Sequence, residues 1–394
     1  MKLEPTLEAA HARIRAVNPT LYARTRNALE GSVSGLSPYI THGYVSLREV
    51  LAGVYARHPL DVQHKFVYEL GWREYFRHVW KHHGERIFSS LHEGILPDES
   101  YSPEVPGDVQ HAVTGIPAID CAVRTLYETG YLHNHARMWL ASYLVHLRKV
   151  HWRAGADWLY SHLLDGDLAS NHLSWQWVAG TGSHKPYLFN AENVARYAPT
   201  PWHSEGTAID TSYEALEHIA RSDRPLPTLL SAAHAGPEIA EPEKLRAAPP
   251  WLGSTTPDPE TVFGRDVWIV HPWSLGPLPA DLSQNSVVVG LCIQEFHHDW
   301  PWTERRWRFV GERMRKITSL IWWADLNSVR KALEGASSAR CTADPHLPAA
   351  LASFVGYMQA PSLFPDVESP CRSFSQWWHR ATRDVRDTSS LLAD

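Results

Sequence analysis

Eight prolines fall between Pro225 and Pro259, and they limit the fold of this chain more than any other feature. Proline lacks a backbone N–H and clashes with the preceding turn, so such a stretch can be neither a helix interior nor a central strand. It is also too long for a hairpin loop. Residues 206–260 therefore read as a Pro-rich linker dividing the chain into 1–205 and 261–394. The flanks carry different periods. Over 64–83, Phe66, Leu70, Phe76, Val79 and Trp80 lie on or near one helical stripe. Residues 117–128 start on Pro117, after the cap candidate Thr114, and stop at Gly130. Residues 131–150 and 155–164 continue the helical pattern, and no alternating strand interrupts it. Beyond the prolines, VWIV (267–270), SVVVGLCI (286–293) and SLIWWAD (319–325) are short runs bounded by turn residues. They alternate with helical stretches at 303–317 and 327–333, an order that implies a parallel sheet. Residues 374–385 read as a closing helix.

Composition narrows the function classes. A chain of 394 residues, 44% hydrophobic and 20% charged, is globular and large enough for two or three domains. No run has the roughly 18–20 apolar residues of a membrane span, and MKLEPTLEAAHARIRAV lacks a signal-peptide core. Cys121, Cys292, Cys341 and Cys371 are far apart with no CxxC pair, which argues against a disulfide framework, a zinc ribbon or an iron–sulfur cluster. A cytoplasmic protein is expected. The net charge of −6 argues against indiscriminate nucleic-acid binding. Residues 1–205 are nearly balanced, with 19 basic and 20 acidic side chains, whereas 206–394 hold 18 and 23. A polyanion site is thus local and expected in the first part. The 18 tryptophans and 24 histidines are unusual. The strings His82-His83, His133-Asn134-His135 and His297-His298-Asp299 suggest metal ligands or a nuclease. Adjacent helical residues point about 100° apart, so no metal site is expected from them.

The most informative string is DGDLASNHLSWQW, residues 165–177: two carboxylates around a glycine, then an amide, then two indoles. Together with Tyr22, Arg26-Asn27, SGLSPYITHG (34–43), ELGWREYFRH (69–78), TGIPAIDCAVR (114–124), HNHARMWLASYL (133–144), HWRAG (151–155) and the continuation to Gly182, it resembles the photolyase/cryptochrome family. The resemblance implies an all-α FAD-binding photolyase-type domain over 1–205. VWIVHPWSLGP, ERRWRFVGERM and SLIWWADLNSVRKAL resemble, more weakly, that family's antenna-type domain. A smaller α/β, Rossmann-like domain is thus expected over 261–394, in a circularly permuted position. No ligand motif is recognised there, so a second, antenna chromophore is left unassigned.

The resemblance also implies residue roles. Tyr22, Ser34, Leu36 and Ser37 would face the FAD phosphates and nearby groups, where free N–H groups at a helix start suit an anion. Val33 stands where the family commonly has Thr. Asn134 and Arg137 would lie beside the flavin, with Arg137 paired to Asp165. Asp167 would accept hydrogen bonds from the ring's polar edge, and Asn171 would face N5. Glu69, Trp72 and Arg73 fall on one helix face. Trp72 and Trp177 would wall a flipped-out pyrimidine dimer and Glu69 would bond its base edges. Arg26 and Arg73 would meet DNA phosphates. Trp175 and Trp152 would form an electron-transfer pair. Val109 occupies the place of the family's outer tryptophan, leaving Trp139 or Tyr143 as substitutes. The implied activity is light-driven repair of UV-damaged DNA, most readily of cyclobutane dimers, by a DNA photolyase (a carbon–carbon lyase) expected as a monomer without metal. The alternative is a cryptochrome-like blue-light photoreceptor.

Overall fold

The structure, a computed structural model, describes residues 3–183, 185–226, 236–385 and 387–392. Its helical part is built around α1 (Pro19–Thr25), α2 (Lys65–His83), α3 (Pro117–Thr129), α4 (Asn134–Ser142), α5 (Trp152–His162) and α6 (Leu168–Ala179). Local chemistry sets the ends. His64 and His151 cap α2 and α5 through Nδ1, and Asp167 caps α6 through the Ser170 N–H. Gly130 and Gly180 close α3 and α6 at φ 68° and 83°, a region that glycine enters without Cβ strain. Thr114 does not cap α3. The Asp120 carboxylate gathers the Thr114 hydroxyl and the N–H groups of Thr114 and Gly115, so that loop is fixed from inside the helix. The continuous helix expected over 131–150 is shorter. α4 stops at Ser142 and passes into a π-helical turn, Tyr143–Leu147.

The main sheet of the second part has, among the described residues, five strands: β1 (Asp266–Val270), β2 (Val287–Ile293), β3 (Ile321–Ala324), β4 (Ser338–Thr342) and β5 (Gly356–Met358). All pairs within this sheet are parallel, in the order β3-β2-β1-β4-β5, and apart from it Lys244–Leu245 pairs antiparallel with Trp302–Thr303. Central β1 has Ile269 opposite Val289 on one side and Cys341 on the other. This is a doubly wound order whose direction reverses between β1 and β4. The longer helices of the second part are α7 (Glu304–Ile317), α8 (Leu326–Leu333) and α9 (Phe374–Ala381). Strands β4 and β5 escape a sequence reading because SARCT and GYM are mostly half-buried or exposed, so neither forms an apolar run.

The apolar packing divides the molecule differently from its secondary structure. One cluster gathers side chains from 109–216; the other joins the first ninety residues to the sheet domain. Tyr39 and Tyr44 meet Phe309 at 5.4 and 5.3 Å. Gly71 lies flush against Trp377 and Trp378, which leave no room for a Cβ. Position 205 is thus not the edge of a core, since Ile209 and Leu216 beyond it belong to the first cluster. The expected linker is structured where it is described: it holds a helix, Tyr213–Arg221, and Pro237 accepts from Arg124 at 2.9 Å. Its residues 227–235 lie outside the described residues. Among the described residues no helix is long and apolar enough to cross a membrane.

Candidate cofactor and substrate site

α1, α2, α4, α6 and the 33–37 loop surround a cavity of about 500 Å³, the size of a small-molecule site. Of the residues singled out from sequence, Tyr22, Arg26, Ser34 and Ser37 line it together with Glu69, Trp72 and Arg73 of α2. Asn134 and Arg137 of α4 complete one wall. Asp165, Asp167, Asn171, Trp175 and Trp177 form another. Leu36 and Trp152 are not in the lining. Leu36 is buried in the core, and its N–H points to the Ser34 hydroxyl at 3.4 Å. Val33, at the position of the missing Thr, lines the cavity and has no hydroxyl to offer.

The expected Arg137–Asp165 pair is present. Arg137 Nη2 lies 3.0 and 2.8 Å from the two carboxylate oxygens, and Ser37 Oγ donates to the same group at 2.6 Å. Asn171 Nδ2 donates to the Ala156 carbonyl at 2.8 Å, which fixes the amide. Trp175 is buried with its ring flush on Gly155 of α5. Trp72 stacks on Phe374 at 4.0 Å and 13°, so helix α9 covers one face of that indole. Trp177 is 41% exposed at the cavity edge. Glu69 lies 3.4 Å from Arg26; burial raises its pKa above the usual range although Arg26 and Lys65 oppose this.

Two assignments meet a different environment. Asp167, expected at the flavin edge, is wholly buried; it accepts from Arg77 at 2.7 Å, with Arg73 at 3.5 Å. Burial opposes its ionisation, but the two guanidinium groups prevail and hold its pKa well below the usual range. Arg73, expected on a phosphate, is turned inward and also donates to Thr41 at 3.1 Å.

Arg77 escaped the sequence reading because its partners lie far along the chain. It also binds Asp344 at 3.0 Å, in the loop after β4, and Asp344 meets His346 Nδ1 at 2.6 Å. Burial lowers the pKa of His346, and its Nε2 accepts the Leu168 N–H at 3.1 Å. The imidazole therefore carries its proton on Nδ1 and donates it to Asp344. This chain of charges ties the crevice between β1 and β4 to the start of α6. The only local signal was the i, i+4 spacing of Arg73 and Arg77 on α2.

The electron-transfer candidates sit on the packed helices α5 and α6. Trp152 precedes Gly155, the seat of Trp175, by one helical turn. It is 2% exposed, and its Nε1 donates to Ser90 Oγ at 2.9 Å. Trp139 and Tyr143, considered as outer members, are both buried and offer no surface outlet.

A deep cavity with apolar walls, a buried carboxylate–guanidinium pair and a fixed amide is the site of a cofactor-binding helical domain. A direct sign of fit is Ser170 Oγ, which is buried without a partner in a residue that lines the cavity. Residues 66–216 match the family model described as the FAD binding domain of DNA photolyase. A deoxyribodipyrimidine photo-lyase from Synechococcus sp. is 34% identical over 244 residues, which cover 56% of this chain and 48% of that protein. A cryptochrome DASH from Idiomarina loihiensis is 32% identical over 217 residues, 52% of this chain and 48% of that one. A solved cryptochrome from Synechocystis sp. is 27% identical, with TM-score 0.45 over 50% of this chain and 44% of that one. Residues 66–216 are thus similar to the FAD-binding domain of the photolyase/cryptochrome family. The chain spans about half the length of the curated relatives it matches.

Proposed function

We propose that this protein repairs UV-damaged DNA, taking a flipped-out cyclobutane pyrimidine dimer into the cavity mouth. The observation that carries the reading is the set of groups on one cavity: Trp72 backed by Phe374, partly exposed Trp177, and the Glu69 carboxyl beside Arg26. Apolar rings with a polar tip suit an unstacked base pair whose edge must be hydrogen-bonded. Held there in its reduced form, FAD would supply the light-driven one-electron chemistry that splits the cyclobutane ring. The chain holds and shields the reactants. Arg137 and Asp165 orient the cofactor and compensate each other's charge, Asn171 presents a neutral amide, and the indoles exclude water. Arg26, at the rim, meets the DNA backbone. Trp175 and Trp152 refill the cofactor with electrons when it has become oxidised.

Dark binding tests this reading. The protein should bind a duplex containing one dimer at least tenfold more tightly than the undamaged duplex, as one lost stacking contact is worth about 1–3 kcal/mol. Trp177→Ala should remove most of that preference while FAD stays bound. Equal affinity for both duplexes would oppose the reading. A cryptochrome-like photoreceptor is the second reading, favoured by the relatives named cryptochrome DASH; it requires light-dependent change without a lesion preference.

A further inference from the structure

We propose that Trp152 is the outermost electron donor of this chain and that Ser90 and Asp98 carry away its proton. The inference rests on the electron-transfer roles proposed for Trp175 and Trp152. Oxidised indole is a far stronger acid than indole, so an electron that leaves Trp152 is retained longest if the Nε1 proton leaves as well. Trp152 is 2% exposed, and water has no direct path to that proton. Val109, which the resemblance puts at the family's outer-tryptophan position, is fully buried and aliphatic and cannot extend the electron route.

Two hydrogen bonds supply the missing path. Trp152 Nε1–H donates to Ser90 Oγ at 2.9 Å, and the Ser90 hydroxyl donates to Asp98 Oδ1 at 3.0 Å. Indole is a donor only and a hydroxyl has one proton to give, so the direction is fixed from Trp152 outward. Asp98 is half exposed, and His151 Nε2 stands 3.5 Å from the same oxygen. His151 Nδ1 accepts the Arg153 N–H, so Nε2 carries the imidazole proton and keeps Oδ1 oriented.

The step balances. Trp152 gives one electron to Trp175, which has been oxidised by the photoexcited, oxidised flavin. The Trp152 N–H bond breaks, its proton bonds to Ser90 Oγ, and the former Ser90 proton passes to Asp98. A neutral tryptophanyl radical and a protonated carboxyl remain, and the carboxyl exchanges with water.

Flash photolysis of the FAD-loaded protein tests the relay by following the tryptophanyl radical cation and neutral-radical bands. In the unaltered protein the cation should convert to the neutral radical more slowly in D2O than in H2O. Ser90→Ala should slow the conversion by roughly ten- to a hundredfold, the worth of one hydrogen bond to a charged group. Asp98→Asn keeps the Ser90 contact but accepts no proton, and it should slow the conversion as well. If Ser90→Ala does not retain FAD, Asp98→Asn alone decides. Unaltered conversion in the variants overturns the relay while leaving the electron route intact. Absence of any tryptophanyl radical in the unaltered protein overturns the electron route and the relay together.

Discussion

Asp167→Asn preserves the shape of a buried side chain and deletes the charge facing two guanidinium groups. Arg77 lies 2.7 Å from that carboxylate and Arg73 3.5 Å, and the Asp167 side chain has no exposed surface. Neutralising one partner of a buried ion pair costs about 3–5 kcal/mol. Arg77 keeps Asp344 at 3.0 Å, so the lower end, about 3 kcal/mol, is expected. The pH dependence follows from the depressed pKa of Asp167. In the unfolded chain the carboxyl titrates near about 4. Its contribution is complete above that pH and is lost as pH falls below it, at about 1.4 kcal/mol per pH unit for one proton. Urea unfolding should therefore give a difference of about 3 kcal/mol between the two proteins near pH 7, shrinking steadily below about pH 4. A difference under about 1 kcal/mol near neutrality, or one that stays constant into acid, refutes the ion-pair reasoning.

Other perturbations address the cavity walls. In Gly155→Ala the new Cβ would lie 2.3 Å from the Trp175 ring. The overpacking cost of about 1–3 kcal/mol should exceed the helix gain of about 1 kcal/mol, lowering both the melting temperature and the FAD content; a more stable protein with full FAD would contradict this. Phe374→Ala removes the ring stacked on Trp72 and should cost about 3–5 kcal/mol in urea unfolding, with a larger loss of dark affinity for a dimer-containing duplex than for an undamaged one. Arg26→Ala should reduce the slope of log affinity against log salt by about 1 for DNA, as expected for one phosphate contact; an unchanged slope removes Arg26 from the DNA surface.

The cavity was legible in the sequence to the extent that its residues sit in short strings. DGDLASNHLSWQW places Asp165, Asn171, Trp175 and Trp177 on one loop and helix, and α2 carries Glu69 and Trp72 at helical spacing. Such strings keep their geometry wherever the helix packs. Long-range partnerships were not legible. The Arg77–Asp344 pair joins residues 267 positions apart, and neither half has a local pattern that announces the other. The approach of Arg73 to Asp167 was likewise not announced by its helix face. The sheet was read only where strands are apolar throughout, so β1, β2 and β3 were recognised while β4 and β5 were not. The histidine excess also gains a physical basis. His42, between the carbonyls of Pro272 and Leu164, and His271, against the Thr342 carbonyl, are buried connectors. No sequence period marks such a role.

The central claim is that light drives chemistry on a dimer held in this cavity. The direct measurement is restoration of an oligonucleotide carrying one cyclobutane dimer by the FAD-loaded, reduced protein, in light and in darkness. The account expects restored bases only in light, with Glu69→Ala and Trp177→Ala impaired although each retains its FAD. Bound, reduced FAD that restores no dimer under illumination, on single- or double-stranded substrate, would contradict it.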